Sequence, residues 1–132
     1  MKPDFTQCPY CGRSAELVTG AVIYPRRPDL HPRKFWHCAP CRAYVGTHVN
    51  SATHEPLGRL ANATLRAAKS NAHRFFDPLW QRGGMTRRQA YAWLAGRLGI
   101  PVAACHIGWF DVNMCHRVIR LSKQKQKDDY HL

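Results

Sequence analysis

The chain has 132 residues, with 20 Lys and Arg against 8 Asp and Glu and a formal net charge of +12. This length supports one compact unit with at most a small metal-held subdomain. With no apolar run long enough to cross a bilayer and no signal peptide after Met1, the expectation is a cytoplasmic chain without a membrane partner. The cation excess points to anionic partners, nucleic acid first and acidic protein surfaces second.

Two Cys-x-x-Cys pairs open the chain, Cys8-Pro9-Tyr10-Cys11 and Cys38-Ala39-Pro40-Cys41. Two residues between cysteines let both sulfurs of a tight turn face one ion, and four thiolates close a tetrahedron around Zn²⁺. Gly12 stands where such a knuckle needs a left-handed backbone, and Pro9 and Pro40 stiffen the turns. Cys8, Cys11, Cys38 and Cys41 are therefore the expected ligands of one structural zinc, with no position left for a catalytic water. A redox dithiol fits less well, because two pairs occur and no βαβ pattern surrounds them. His31, His37, His48 and His54 lie near enough to replace a cysteine, but four cysteines are already at hand.

Between the knuckles, residues 17–24, 34–37 and 43–48 read as short strands, with 25–32 as the loop or hairpin tip. Residues 1–50 hold too few aliphatics to fold without a staple. The expected domains are thus a ribbon over 1–50, a basic helical region over 51–123 and a disordered tail over 124–132. The fold class expected is α+β, a small zinc ribbon of two or three antiparallel strands packed on a bundle of about three helices.

The first helix is expected over 57–76, with Leu57, Leu60, Leu65, Ala68, Ala72 and Phe76 on one face and Arg59, Arg66, Lys69 and His73 opposite. Asp77-Pro78 ends it. Thr86 with Gln89 three residues on predicts a capping box for a second helix, and Gly99 then Pro101 predict its end. A third helix starts at Asp111 and runs to about residue 123, with Arg117 and Arg120 outward. Residues 92–101 have the outline of a helix-turn-helix, but the segment after the turn, 102–107, is short, apolar and without base-reading side chains. Cys105, His106, Cys115 and His116 match no knuckle spacing, and Cys115 falls on an apolar face as a small buried hydrophobe.

The strings Cys38-Ala39-Pro40-Cys41-Arg42-Ala43-Tyr44-Val45-Gly46, Pro56-Leu57-Gly58, Ala72-His73, Phe76-Asp77-Pro78-Leu79-Trp80, Ala90-Tyr91-Ala92-Trp93-Leu94 and Cys105-His106-Ile107-Gly108-Trp109-Phe110-Asp111 carry a resemblance. Over roughly residues 5–121 the chain resembles a bacterial and phage family of zinc-finger-containing proteins of unknown function. The resemblance implies a zinc ribbon fused to a helical segment, a metal site at the same four cysteines and a prophage or plasmid setting. It assigns no activity.

The function expected is a phage-type nucleic-acid-binding accessory or regulatory factor. Residues 56–127 contain only Asp77 and Asp111 as acids, so the cations form an anion-binding face rather than a mixed solvated one. The candidate contacts are Arg33, Lys34, Trp36, Arg59, Arg66, Lys69, His73, Arg117 and Arg120. Phe35 and Trp36, with Tyr10 in the first knuckle, are candidates to stack on bases, the alternative being that Phe35 and Trp36 seal the ribbon onto the helices. The alternative is a protein that binds and modulates a host nucleic-acid machine. An enzyme is not expected, nor a small-molecule substrate. A metal-dependent nuclease built on His48, Asn50, His54, His73 and Asp77 ranks last, because acids to hold Mg²⁺ are scarce.

Overall fold

The residues between the knuckles form three strands, β1 Glu16–Thr19, β2 Lys34–Cys38 and β3 Ala43–Gly46, in one antiparallel sheet of order β1-β2-β3. The computed structural model describes residues 7–130, so the first six residues of the expected ribbon and the last two of the expected tail lie outside the described residues. The chain divides into two units, Met1–Ala63 and Thr64–Leu132, each with its own core. Residues 51–63, expected with the helices, belong to the ribbon's unit.

Register follows side-chain alternation. Leu17 pairs with Trp36 and Trp36 with Val45, while Cys38 pairs with Ala43. Trp36 and Val45 pack on a core of Cys8, Ala15, Cys38, Ala43 and Leu60. The alternate residues build a second cluster, in which Tyr24, Phe35 and Tyr44 meet edge to face with centroids 5.8–6.1 Å apart. The Tyr24 and Tyr44 hydroxyls close it at 2.9 Å. Period-2 sorting thus gives the sheet one face for the cysteines and one for aromatic rings.

Two expectations in this half need correction. The first strand ends at Thr19, and Gly20–Ile23 forms one helical turn, α1. Gly20 makes the switch: its amide donates to Arg33 O at 2.8 Å, and a Cβ there would stand 1.8 Å from Leu30 O. The first long helix also does not start at residue 57. Residues 55–61 run beside β3 as two isolated bridges joined by a bend over 57–59, with Leu57 N donating to Gly46 O at 2.9 Å and Tyr44 and Ala61 exchanging both amide bonds. Leu57 is 53% exposed, whereas Leu60 and Ala61 are buried. The apolar spacing suits a helix, but pairing with the open edge of β3 satisfies the backbone and wins.

In the second half, α2 Ala63–Phe76 buries Leu65, Ala68, Ala72 and Phe76. The short α3 Pro78–Gln81 follows the Asp77-Pro78 stop and buries Leu79. Next, α4 Arg87–Leu98 opens on the expected box, with Gln89 N donating to Thr86 Oγ1 at 3.1 Å and Thr86 N to Gln89 Oε1 at 2.9 Å. It closes on Gly99 at φ 73°, where Ile100 N reaches back to Ala95 O. Phe76 meets Tyr91 edge to face at 4.8 Å, locking α2 to α4.

The turn-like segment after Pro101 contains two short 3₁₀ turns, Val102–Ala104 and Ile107–Trp109, and no recognition helix. The last helix, α5 Val112–Tyr130, begins where Asp111 Oδ1 accepts from Met114 N at 2.9 Å. It continues through the stretch expected as a disordered tail. Gln124 donates to Asp128 at 2.9 Å, Lys125 pairs with Asp129 at 3.3 Å, and Gln126 Nε2 donates to Phe75 O at 2.6 Å. Two pairs spaced i,i+4 and one tie to α2 hold a polar segment that lacks an apolar stripe. Among the described residues, no helix is long and apolar enough to cross a membrane.

Candidate metal centre

Each knuckle is a backbone turn that closes on itself. In the first, Cys8 N donates to Arg13 O at 2.7 Å and Gly12 N to Cys8 O at 2.8 Å, with Gly12 at φ 79°. In the second, Arg42 N donates to Ala39 O at 3.1 Å, and Arg42 occupies the same left-handed region at φ 53°. Both turns put a left-handed residue just after the second cysteine, glycine in one and an arginine that pays the left-handed cost in the other, though the closing bond spans one residue more in the first. The second turn is also the β2–β3 connection, so Cys38 and Cys41 are positioned by the sheet itself.

The four sulfurs all lie within 4.8 Å of one another, and Cys11 Sγ stands 3.7 Å from Cys38 Sγ. Zn–S bonds of about 2.3 Å in a tetrahedron set sulfurs about 3.8 Å apart, so the spacing suits a shared ion. A disulfide needs about 2.05 Å, and all six cysteines are free. Cys8 and Cys38 are buried at 1% and 3% exposure, Cys41 is half-buried and Cys11 faces solvent. Among the described residues, this is the only group of three or more Cys, His, Asp or Glu able to hold a metal.

Protonation follows from crowding. The Arg13 backbone amide lowers the Cys11 thiol from 9.0 to about 7, helped by hydrogen bonds from Cys41, Cys38 and Cys8 and opposed by burial. The hydrogen bond to Cys11 pushes Cys41 up to about 12, with burial adding to it. Burial raises Cys38. One thiolate therefore forms readily and makes the next harder to form. A dication removes that conflict by neutralising the cluster, which is the chemistry a four-thiolate zinc site supplies. With four protein sulfurs the shell is closed, and the metal's role is to hold the fold.

Tyr10, inside the first knuckle, ties the cage to its surroundings: its hydroxyl donates to Leu60 O and accepts from Asn62 N, both at 3.2 Å. Trp36 donates its indole N–H to His54 O at 2.8 Å while packing on the cysteine core. Both rings thus make hydrogen bonds within the ribbon's own unit.

The remaining expected contacts fall on both units, Arg33, Lys34 and Arg59 on the first and Arg66, Lys69, His73, Arg117 and Arg120 on the second. Arg33, Lys34 and Arg120 are exposed, and Arg59, Arg66 and Lys69 are half-buried. His73 Nδ1 lies 3.2 Å from Asp77 Oδ1. Arg117 turns its guanidinium inward, to Leu98 O at 3.4 Å and Met114 Sδ at 3.6 Å. Cys105 and Cys115 are buried, and burial raises both thiols, Cys115 to about 11; His106 and His116 are exposed. These four residues form no second centre.

Helical periodicity missed a group of cations that lie on aromatic rings. Arg87 stands over Tyr91 at 4.9 Å and Trp80 at 5.7 Å, Lys123 and Arg74 over Phe75 at 4.5 and 5.6 Å, and Lys125 over Trp93 at 5.5 Å. Arg87 and Tyr91, spaced i,i+4, were the one pairing visible in the sequence. Arg74 and Phe75 are neighbours on α2, and the other three pairings join separate elements.

Compared with known proteins, residues 4–125 match the model of a zinc-finger-containing domain family. No curated protein and no solved structure matches the chain.

Proposed function

This chain belongs to the zinc-finger-containing domain family, and from that premise we propose that it binds nucleic acid as an accessory or regulatory factor. Zinc holds the ribbon and takes no part in chemistry. The observation that carries the reading is the placement of Arg74, Arg87, Lys123 and Lys125 on rings. A ring face attracts a cation without cancelling its charge. The cation excess therefore stays available to a polyanion. The exposed Arg33, Lys34 and Arg120 add phosphate contacts.

The test is binding of labelled single and double strands to zinc-loaded protein between 50 and 200 mM salt. If about five phosphates are engaged, affinity falls about 500-fold for a duplex and about 100-fold for a single strand. Weak binding with a flat salt response overturns the proposal. A stoichiometric protein recovered from nuclease-treated lysate, with no affinity for nucleic acid, replaces it with the protein-modulator reading.

A further inference from the structure

Trp93 and Arg97 lie one turn apart on α4, and Leu121, Gln124, Lys125 and Asp128 recur at helical spacing along α5. Together they line an open groove of about 180 Å³. We propose that this groove holds one nucleotide of a single strand and favours guanine as its base; the inference rests on the nucleic-acid reading above and gives it a site.

The groove's chemistry selects the ligand class. Its floor is the half-buried Leu121 and the Trp93 indole, a flat surface that accepts the face of any base. Lys125 Nζ stands 5.5 Å from the centre of that ring and 3.3 Å from Asp129 Oδ1. The ring face is thus covered by an ion pair of a half-buried lysine and an exposed aspartate rather than by core side chains. A base sliding onto the indole displaces the ammonium toward the strand's phosphate, where the exposed Arg97 already points the site to an anion.

Asp128 separates this groove from a simple phosphate site, since a carboxylate at the rim repels a lone anion. It suits a ligand that brings an anion at one end and hydrogen-bond donors at the other. Gln124 Nε2 donates to Asp128 Oδ1 at 2.9 Å, which fixes the carboxylate and leaves it further lone pairs. Guanine alone among the bases presents two adjacent donors, N1–H and the N2 amino group, on its pairing edge. A carboxylate accepts both at once, whereas adenine, cytosine and thymine offer at most one donor group there or set an acceptor beside it.

The experiment uses the full zinc-loaded chain and six-nucleotide DNA single strands followed by fluorescence anisotropy. One strand is all deoxyadenosine; the other carries one central deoxyguanosine. The guanine strand is expected to bind about tenfold tighter. Asp128→Asn removes that preference, and with one negative charge gone both strands bind tighter than the adenine strand binds the unaltered chain, whereas Arg97→Ala weakens both strands. Trp93→Ala loses both; should it fail to fold, the two exposed substitutions carry the test.

Equal affinity for the two strands, or a preference that survives Asp128→Asn, overturns the groove and leaves nucleic-acid binding standing. An intact protein that binds neither single strands nor duplex overturns both. An acidic peptide whose binding is lost in Arg97→Ala, with no strand bound, assigns the groove to a protein and also overturns the proposal.

Discussion

Replacing Gly12 with Ala isolates the conformational cost of the first knuckle. Gly12 sits at φ 79°, and a Cβ built there meets no atom within 4 Å, so the substitution brings no clash. What remains is the left-handed backbone itself, which costs an L-residue about 1–2 kcal/mol. Folding of a small zinc ribbon is coupled to metal binding, so this cost appears in the apparent zinc affinity. At about 1.4 kcal/mol per factor of ten, Gly12→Ala should weaken zinc roughly 5- to 30-fold. Competition with a chromophoric chelator at fixed pH measures it directly. Gly84→Ala serves as the control, since its Cβ also meets nothing within 4 Å and its backbone is not left-handed; zinc affinity should not move. Gly20→Ala supplies the steric contrast, because its Cβ would lie 1.8 Å from Leu30 O. An unchanged affinity in Gly12→Ala would show that the loaded knuckle does not hold this turn. A loss beyond a thousandfold would show that the cage had broken rather than strained.

Zinc affinity should rise with pH. The thiols of Cys38 and Cys41 are raised above 9.0 without metal, the latter to about 12, and must lose their protons to bind. Binding therefore strengthens as pH rises and is lost as pH falls, at least about a hundredfold between pH 7.5 and 6.5 in a chelator titration. A slope of less than one proton would contradict the four-thiolate assignment. Removing zinc with a strong chelator, or substituting Cys38→Ala, should erase the amide dispersion of the ribbon's strands in NMR spectra while the helical signal at 222 nm persists, since the helices have a separate core. Thr86→Ala deletes one half of the capping box and should lower the stability of the helical unit by about 1 kcal/mol, read from its thermal midpoint.

The sequence disclosed most where a local rule admits one solution. Cys-x-x-Cys spacing located the cage, Thr86 and Gln89 located a helix start, and Gly99 its end, because each depends on a few neighbouring residues. It misled where distant partners decide. Residues 57–62 carry helical spacing yet lie along β3, since an unpaired strand edge outbids local propensity. Residues 124–130 look too polar to order, yet Gln126 reaches Phe75 and Lys125 reaches Trp93. That second misreading also concealed the groove, half of whose lining lies on α5 beyond residue 123. The hydrogen bonds of Tyr10 and Trp36 were not legible, because their partners Leu60, Asn62 and His54 are distant in sequence.

The run beside β3 has a consequence for how the protein behaves in a crowded cell. A small sheet has two flanks that can recruit strands from other molecules and seed fibrils. Here one flank is sealed by the chain's own residues 55–61. The other, β1, is only four residues long, starts with a charged Glu16 and gives way to a helical turn at Gly20. Such a short template offers an incoming chain few amide bonds before it must turn away, so the ribbon is protected against templated polymerisation by its own connectivity.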